Sequence, residues 1–523
     1  MTAAVVETEL KNLGRVARRS PIPPENTTCQ NNGAENDGTE SVSLLRKATV
    51  TFQLACINFA WNATKGLTVV GLPQMTSDLA LPPSLAFWPS SVPGLATAST
   101  LLLAGAIGDV IGPKTMNLTG CIFNGFLMVA CGLARHGQDL VIFRALSGVA
   151  LAMHLSSSVA LVSSVYTPGK GRNLSFACLG MSQVLGFSFG LVVGGILVDT
   201  AGWRFGWYLY GAITLTASTV GFWSLPNPAK FESWKTLRRD LSSRVDWVGA
   251  LLASAFMALV SYFLAIISTD VYRAKEPASI AIVCIGGAAL PFFILWMRRQ
   301  TAHNKPALIP NSLWRNASFT SICAATSLSF AVLNSLELFA SLFFQEIQHL
   351  TAIQAAIRIL PSVLVGVILN FTTGMAVHRV PVVWLVVITS LVSSGSPLLM
   401  ALIQVEWPYW TSAFFAQILM PFSVDVLLTV GLIIVTAAFP EDKQSIAGAV
   451  FNTASQFGTS LGLAIMQVIS TAVTRGKLQV RPSEALLEGY RASFWTMFAF
   501  MVVSAAIGGL GLRKSGKIGL KRD

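Results

Sequence analysis

Apolar runs of roughly 20 residues, separated by short polar breaks, recur from about residue 48 to residue 512. That length lets a helix cross a hydrocarbon core about 30 Å thick at about 1.5 Å per residue. The pattern predicts fourteen membrane helices, at 48–72, 86–107, 115–134, 139–165, 173–198, 203–224, 246–268, 278–297, 318–343, 352–377, 382–404, 411–438, 444–472 and 490–512. A membrane β-barrel would alternate apolar and polar positions over segments of about 10 residues instead. The spans group as six, two and six, so the expected fold class is an all-α integral membrane protein. It would have a disordered cytosolic tail (1–47), a six-helix bundle (48–224) and basic loops with two inserted helices (225–317). A second six-helix bundle (318–512) and a basic cytosolic tail (513–523) would follow.

Composition agrees with this pattern. Only 11% of the 523 residues are charged and the mean hydropathy is +0.62, where soluble domains carry about 25% charge. The net charge of +12 could suggest nucleic acid, but the basic residues are spread over short loops, and no nucleic-acid partner is expected. With the N-terminus inside, inner segments hold about 25 Lys and Arg and outer loops about 6. Lys230, Lys235, Arg238, Arg239 and Arg244, then Arg298, Arg299, Lys305 and Arg315, form the two most basic inner loops, suited to anionic lipid. Both termini are expected in the cytosol. The 1–47 tail has no apolar core of a signal peptide, and its Asn26-Thr-Thr sequon is expected to stay inside. Six of the seven cysteines fall in predicted spans and none forms a CxxC, so neither a disulfide nor a metal site is expected.

Certain short motifs add to the picture. Gly105-Ala-Ile-Gly108-Asp109-Val-Ile-Gly112-Pro-Lys114 is a polar hairpin wedged between two apolar runs. Its glycines permit a sharp turn, Asp109 suits a helix N-terminus and Lys114 suits lipid head groups. A weaker echo, Gly374-Met-Ala-Val-His378-Arg379-Val-Pro381, stands where a second six-helix repeat would place it. The fourth span carries Arg144-Ala-Leu-Ser147-Gly148. The fifth carries Gly186, Gly190 and Gly194 at intervals of four, on one helix face, followed by Gly195. Such a smooth face lets membrane helices approach closely, and it would suit a sliding contact between the fifth span and the other bundle. Gly202-Trp203-Arg204 opens the sixth span.

In this order the motifs resemble motifs A, B and C of the major facilitator superfamily, and the span count resembles its fourteen-helix drug:H+ antiporter branch. Lys305-Pro-Ala-Leu-Ile-Pro310 and Ala447-Gly-Ala-Val-Phe-Asn452 with Gly458 resemble that branch too. The resemblance covers nearly everything after residue 47. It implies two bundles rocking about a central cavity, and motif C implies export. This chain departs from the family at Leu191, where motif C has Pro. It departs again at Asn62-Ala-Thr64-Lys65-Gly66, where a membrane Asp often precedes Leu72-Pro73, so the family's usual proton site does not carry over. A loose likeness of Gly108 to Thr115 to a phosphate loop fails on spacing and context, so ATP-driven transport and a nucleotide cofactor are not expected.

Charges inside spans are costly and commonly functional. They are Lys65, Arg144, Glu337 and Asp425, with His154 as a further titratable group. The resemblance makes Arg144 the motif B arginine, facing the cavity and tied to proton coupling. Asp425 suits reversible proton binding or substrate binding, or serves as a buried partner for backbone and Ser groups. Lys65 and Glu337 lie at similar depths in the first helices of the two bundles, where an ion pair would close the outer side when the cavity faces inward; snorkelling of Lys65 to the outer interface is the alternative. His154 is expected to be a packed polar residue. Trp61, Phe343, Phe344 and Trp410 read mostly as interface belt or core, with a drug-accepting aromatic cavity lined by some of them as the alternative.

The expected function is proton-coupled export of an amphipathic small molecule, such as a toxin, drug or secondary metabolite, by a monomer of the plasma membrane. A vacuolar transporter of a siderophore, polyamine or basic amino acid is the neighbouring reading, and a non-transporting sensor is the reading from another class. No catalytic constellation gathers in the spans, and the protein is not expected to be an enzyme.

Overall fold

Ser43 sets the first helix. Its side chain accepts the Arg46 amide at 3.3 Å, and α1 runs from Leu44 to Asp78. The computed structural model describes residues 43–82, 85–166, 170–226, 234–269, 271–376, 380–439, 441–477 and 482–513, and every regular element among them is helical. After α1 come α2 (Trp88–Ile111), α3 (Pro113–Leu133), α4 (Gly137–Val165), α5 (Lys170–Thr200) and α6 (Trp203–Ser224). A short basic helix, α7 (Trp234–Arg244), leads to α8 (Trp247–Thr269) and α9 (Pro277–Ala302). The remainder is α10 (Ala317–Leu342, widened by one turn at Phe343–Ile347), α11 (Ala352–Ala376), α12 (Val382–Ala401), α13 (Ala413–Leu419), α14 (Phe422–Ala438), α15 (Glu441–Lys477) and α16 (Pro482–Gly511).

Twelve helical stretches among the described residues are long and apolar enough to cross a membrane, with α13 and α14 counted as one. Two expected spans, α1 and α6, fall outside that set because of what they carry. α1 holds Gln53, Asn58, Asn62 and Lys65, and α6 is rich in Gly, Thr and aromatic residues. The span expected at 411–438 is broken at Met420 and Pro421, because a proline cannot donate the helical hydrogen bond. The predicted tails at 1–42 and 514–523, Lys230, and residues 377–379 of the echo hairpin lie outside the described residues.

Two turns need glycine. α2 and α3 are joined by Gly112 alone at φ +96°, and α5 and α6 meet through Gly202 at φ +86°, a region that side-chain-bearing residues avoid. α1 then packs on α5 and α6, α4 on α2 and α3, and α3 on α6. In the second group α10 packs on α14, α15 and α16, and α12 on α13, α14 and α16. The two groups meet along α2 with α15 and α5 with α11.

The inserted pair lies over the α2–α15 seam. α8 touches both helices, through Ser254 Oγ donating to Ser99 O at 2.7 Å and Phe256 beside Phe457 at 5.9 Å. Buried Asp246 anchors the pair. It accepts from Gly249 N (2.8 Å), Trp296 Nε1 (2.9 Å) and Leu308 N (3.3 Å), which fixes the Lys305–Pro310 segment.

Polar contacts hold helices together where apolar side chains gain little from leaving lipid. Ser329 bonds Ser423 at 2.9 Å and Ser504 at 3.2 Å, and Ser390 bonds Ser423 at 3.2 Å, knitting α10, α12, α14 and α16. In the first group Asn117 bonds His154 Nδ1 at 3.0 Å and Ser157 at 3.1 Å. His154 is thus a packed polar residue between α3 and α4.

Candidate functional site

Helical spacing turns polar residues from both groups toward one space. Trp61, Lys65 and Thr68 share a face of α1, and Asn334, Glu337 and Leu338 share a face of α10. With Arg144 of α4 and Gln456 of α15 they line a cavity of about 40 Å³ between the groups. Drug-sized molecules need about 300 Å³ or more, so this conformation is nearly closed around its central site.

Arg144 is only 2% exposed. Its Nε donates to Pro89 O at 2.9 Å, and its guanidinium lies 5.6 Å from the Trp61 ring and 5.0 Å from the Trp207 ring. The two indoles and the carbonyl fix the plane of the fork. Nη1 is buried without a hydrogen-bond partner. Trp61 therefore belongs to the site, and neither it nor Trp207 was legible as an arginine cage.

Lys65 and Glu337 face the same cavity, and each charge acts on the other. Among the described residues no salt bridge within 4.0 Å joins them, so the expected direct ion pair is open in this conformation. Asp425 lies off the cavity, 9% exposed, where α14 meets α11. Its Oδ1 accepts from Asn370 Nδ2 at 2.9 Å, and its carboxylate acts electrostatically on Glu337. Arg144, Lys65, Glu337 and Asp425 thus form one electrostatic chain, although only three of them line the cavity.

The other predicted residues sit elsewhere. Gly105 and exposed Asp109 lie near the end of α2, and Gly112 makes the turn. Lys114 Nζ donates to Leu225 O at 2.9 Å, tying the start of α3 to the end of α6. The glycine ladder requires a correction. A Cβ on Gly190 would lie 2.6 Å from Ala63 Cα, one on Gly186 2.8 Å from Phe59 Cα, and one on Gly194 3.0 Å from Leu67 Cα. The ladder therefore seats α5 on α1 of its own group. Only Gly195 meets the second group, where a Cβ would lie 2.9 Å from Ile353 Cα on α11.

Sequence reading missed Asp199. Its carboxylate caps α11 across the seam, accepting Ala352 N at 3.2 Å and Ile353 N at 3.0 Å. Nearby, Phe87 stacks on Phe339 at 5.6 Å, and Asp78 accepts from Trp203 Nε1 at 2.9 Å and pairs with Arg204 at 3.5 Å. No short-range signal marks Asp199, since its partner is 153 residues away.

The Major Facilitator Superfamily model matches residues 54–381. The chain is 39% identical to MFS-type transporter 1 of Pyricularia oryzae, covering 96% of this chain and 89% of that one. It is 22% identical to the efflux pump terJ of Aspergillus terreus, covering 78% and 76%. Its fold is similar to that of an auto-inhibited POT family peptide transporter, with a TM-score of 0.67 and 13% identity over 92% of this chain and 99% of the other. Motifs, helical architecture and these likenesses agree: the chain belongs to the Major Facilitator Superfamily, as a multi-pass membrane transporter and not an enzyme.

Proposed function

We propose that this transporter is a proton-coupled exporter of amphipathic small molecules, working by alternating access as a plasma-membrane monomer with fourteen spans. The observation that carries the reading is the cavity walled by both helix groups, with Lys65 and Arg144 on one side, Glu337 on the other, and aromatic surface beside them. Relatives named as an efflux pump and a multidrug transporter support the direction. In this scheme both termini and the Gly112 end face the cytosol and the Asp199 end faces outside, an orientation that the excess of basic residues in the inner segments supports. Glu337, coupled to Asp425, is the proton carrier in this scheme. A carboxyl group held among opposed charges changes its neighbours' balance when it gains a proton.

Reconstituted in liposomes with an imposed pH gradient, the protein is expected to move fluorescent amphipathic compounds, and a protonophore should stop the movement. Glu337→Gln is expected to lose gradient-driven transport by about 100-fold or more, since the permanently neutral amide can neither take up nor release the coupled proton. Full gradient-driven transport by that variant would overturn its role.

Closure at the outer end rests on Asp199, Gly195 and Phe87. Removing a helix cap costs about 0.5–2 kcal/mol, which shifts a two-state equilibrium by about 2- to 30-fold. Asp199→Ala is therefore expected to raise outward opening by that factor. The readout is modification of a cysteine introduced by Leu463→Cys, using an impermeant thiol reagent added outside and a background free of native cysteines. An unchanged rate would remove the cap from the gating scheme.

A further inference from the structure

The charges in the cavity are sorted by wall. Lys65 and Arg144 belong to the first group, while Glu337 and Asn334 belong to the second. Buried opposite charges normally recover their lost hydration by pairing. Here the pairing is incomplete: Arg144 is pinned by Pro89 O and the two indoles, and its Nη1 is buried without a partner. Across the cavity, Asn334 Nδ2 donates to Phe330 O at 3.0 Å and Thr459 Oγ1 at 3.2 Å, so its Oδ1 is the atom left to accept. The positive charges lie on one wall and the carboxylate on the other, with the Asn334 and Gln456 amides beside the carboxylate and Trp61, Phe187 and Leu338 as apolar surface between.

A fixed charge separation of this kind recognises the opposite dipole. A simple cation would meet Lys65 and Arg144, and a simple anion would meet Glu337. Each would leave part of the site unpaired in a poorly hydrated space. We infer that the cavity is a subsite for zwitterionic amphiphiles, molecules with a carboxylate or similar oxyanion close to a protonated amine on an apolar body. The oxyanion would take Arg144 Nη1 and Lys65 Nζ, and the ammonium would take the Glu337 carboxylate and Asn334 Oδ1.

This inference rests on the exporter reading and deepens it. Glu337 is faced by Lys65 within the cavity and by Asp425 outside it, while Arg144 lines the same cavity and acts on Lys65. A proton on Glu337 removes the acceptor that the ammonium needs, so proton and substrate exclude one another at one side chain. That exclusion is what exchange of one for the other requires.

The test uses the purified full chain in lipid nanodiscs and four probes with one pyrene body: pyrenylalanine (zwitterion), pyrenebutyrate (anion), pyrenebutylamine (cation) and pyrenebutanol (neutral). Energy transfer from the protein's tryptophans reports binding. Pyrenylalanine is expected to bind at least about 10-fold more tightly than the other three. In Glu337→Gln its advantage over pyrenebutyrate should vanish, and in Lys65→Met its advantage over pyrenebutylamine should vanish. The wild-type order decides the matter even if a variant fails to fold. Tighter binding of any other probe, or affinities that follow hydrophobicity alone, would overturn the zwitterion subsite. If such a probe is also exported under a pH gradient, the exporter reading stands. If none of the four binds or moves, both readings fall.

Discussion

Arg144→Ala is expected to abolish export, by about 100-fold or more, in a protein that still folds and reaches the membrane. The size follows from what the side chain does. Truncating one partner of a buried charged contact at a binding site costs about 2–5 kcal/mol of binding, which at mid-range exceeds about 100-fold. Arg144 stands between Trp61, Trp207 and the Pro89 carbonyl, and it holds the positive wall of a cavity whose other wall carries Glu337. Without it, Lys65 alone balances Glu337, and the remaining charges can collapse into the pair that the present geometry keeps apart. The fold is expected to tolerate the loss because Trp61 and Trp207 remain packed in the same buried apolar core. Arg144→Lys is expected to fail almost as badly: an ammonium cannot be gripped in plane by two indoles while donating through a fork. The measurements are pH-gradient-driven transport in liposomes and the thermal unfolding midpoint. Near-normal transport by the alanine variant would remove Arg144 from the centre of the mechanism, and a collapsed midpoint would recast it as a structural residue.

What was readable along the chain was the chemistry of single helices. Apolar run lengths located the membrane segments, and the rarity of charge within them singled out Lys65, Arg144, Glu337 and Asp425. Three of these line one cavity. Partnership between distant helices was not readable. Four-residue glycine spacing marks a smooth face without saying which helix it meets, and the ladder on α5 meets α1 rather than the opposing group. Trp61 resembled belt or core because an indole under an arginine has no sequence signature until Trp207 arrives from α6. Asp199, at the end of α5, carries no local signal and becomes a cap only where α11 is brought across the seam. The break at Pro421 had a local signal in the proline itself, which the long apolar run around it outweighed.

Gly190→Val is expected to prevent the first helix group from assembling. The β-carbon alone would overlap the Ala63 carbonyl oxygen and lie 2.6 Å from Ala63 Cα, and these are backbone atoms that cannot rotate away. α1 and α5 would have to part along their whole shared face, where Gly66 in turn approaches the α5 backbone, with a Cβ there placed 2.5 Å from Leu191 N. Overpacking a good core costs about 1–3 kcal/mol when side chains can adjust, and a backbone clash belongs above that range. Gly195→Ala separates this effect from gating. Its clash is also with backbone, 2.9 Å from Ile353 Cα, but that backbone belongs to the second group. Such a variant is expected to fold with a near-normal unfolding midpoint and to lose the closed Asp199 end. Size-exclusion profiles and thermal unfolding of the two purified variants check the contrast. A well-folded Gly190→Val protein would mean that α1 and α5 are free to separate, and the moving seam would then lie inside the first group instead of between the two.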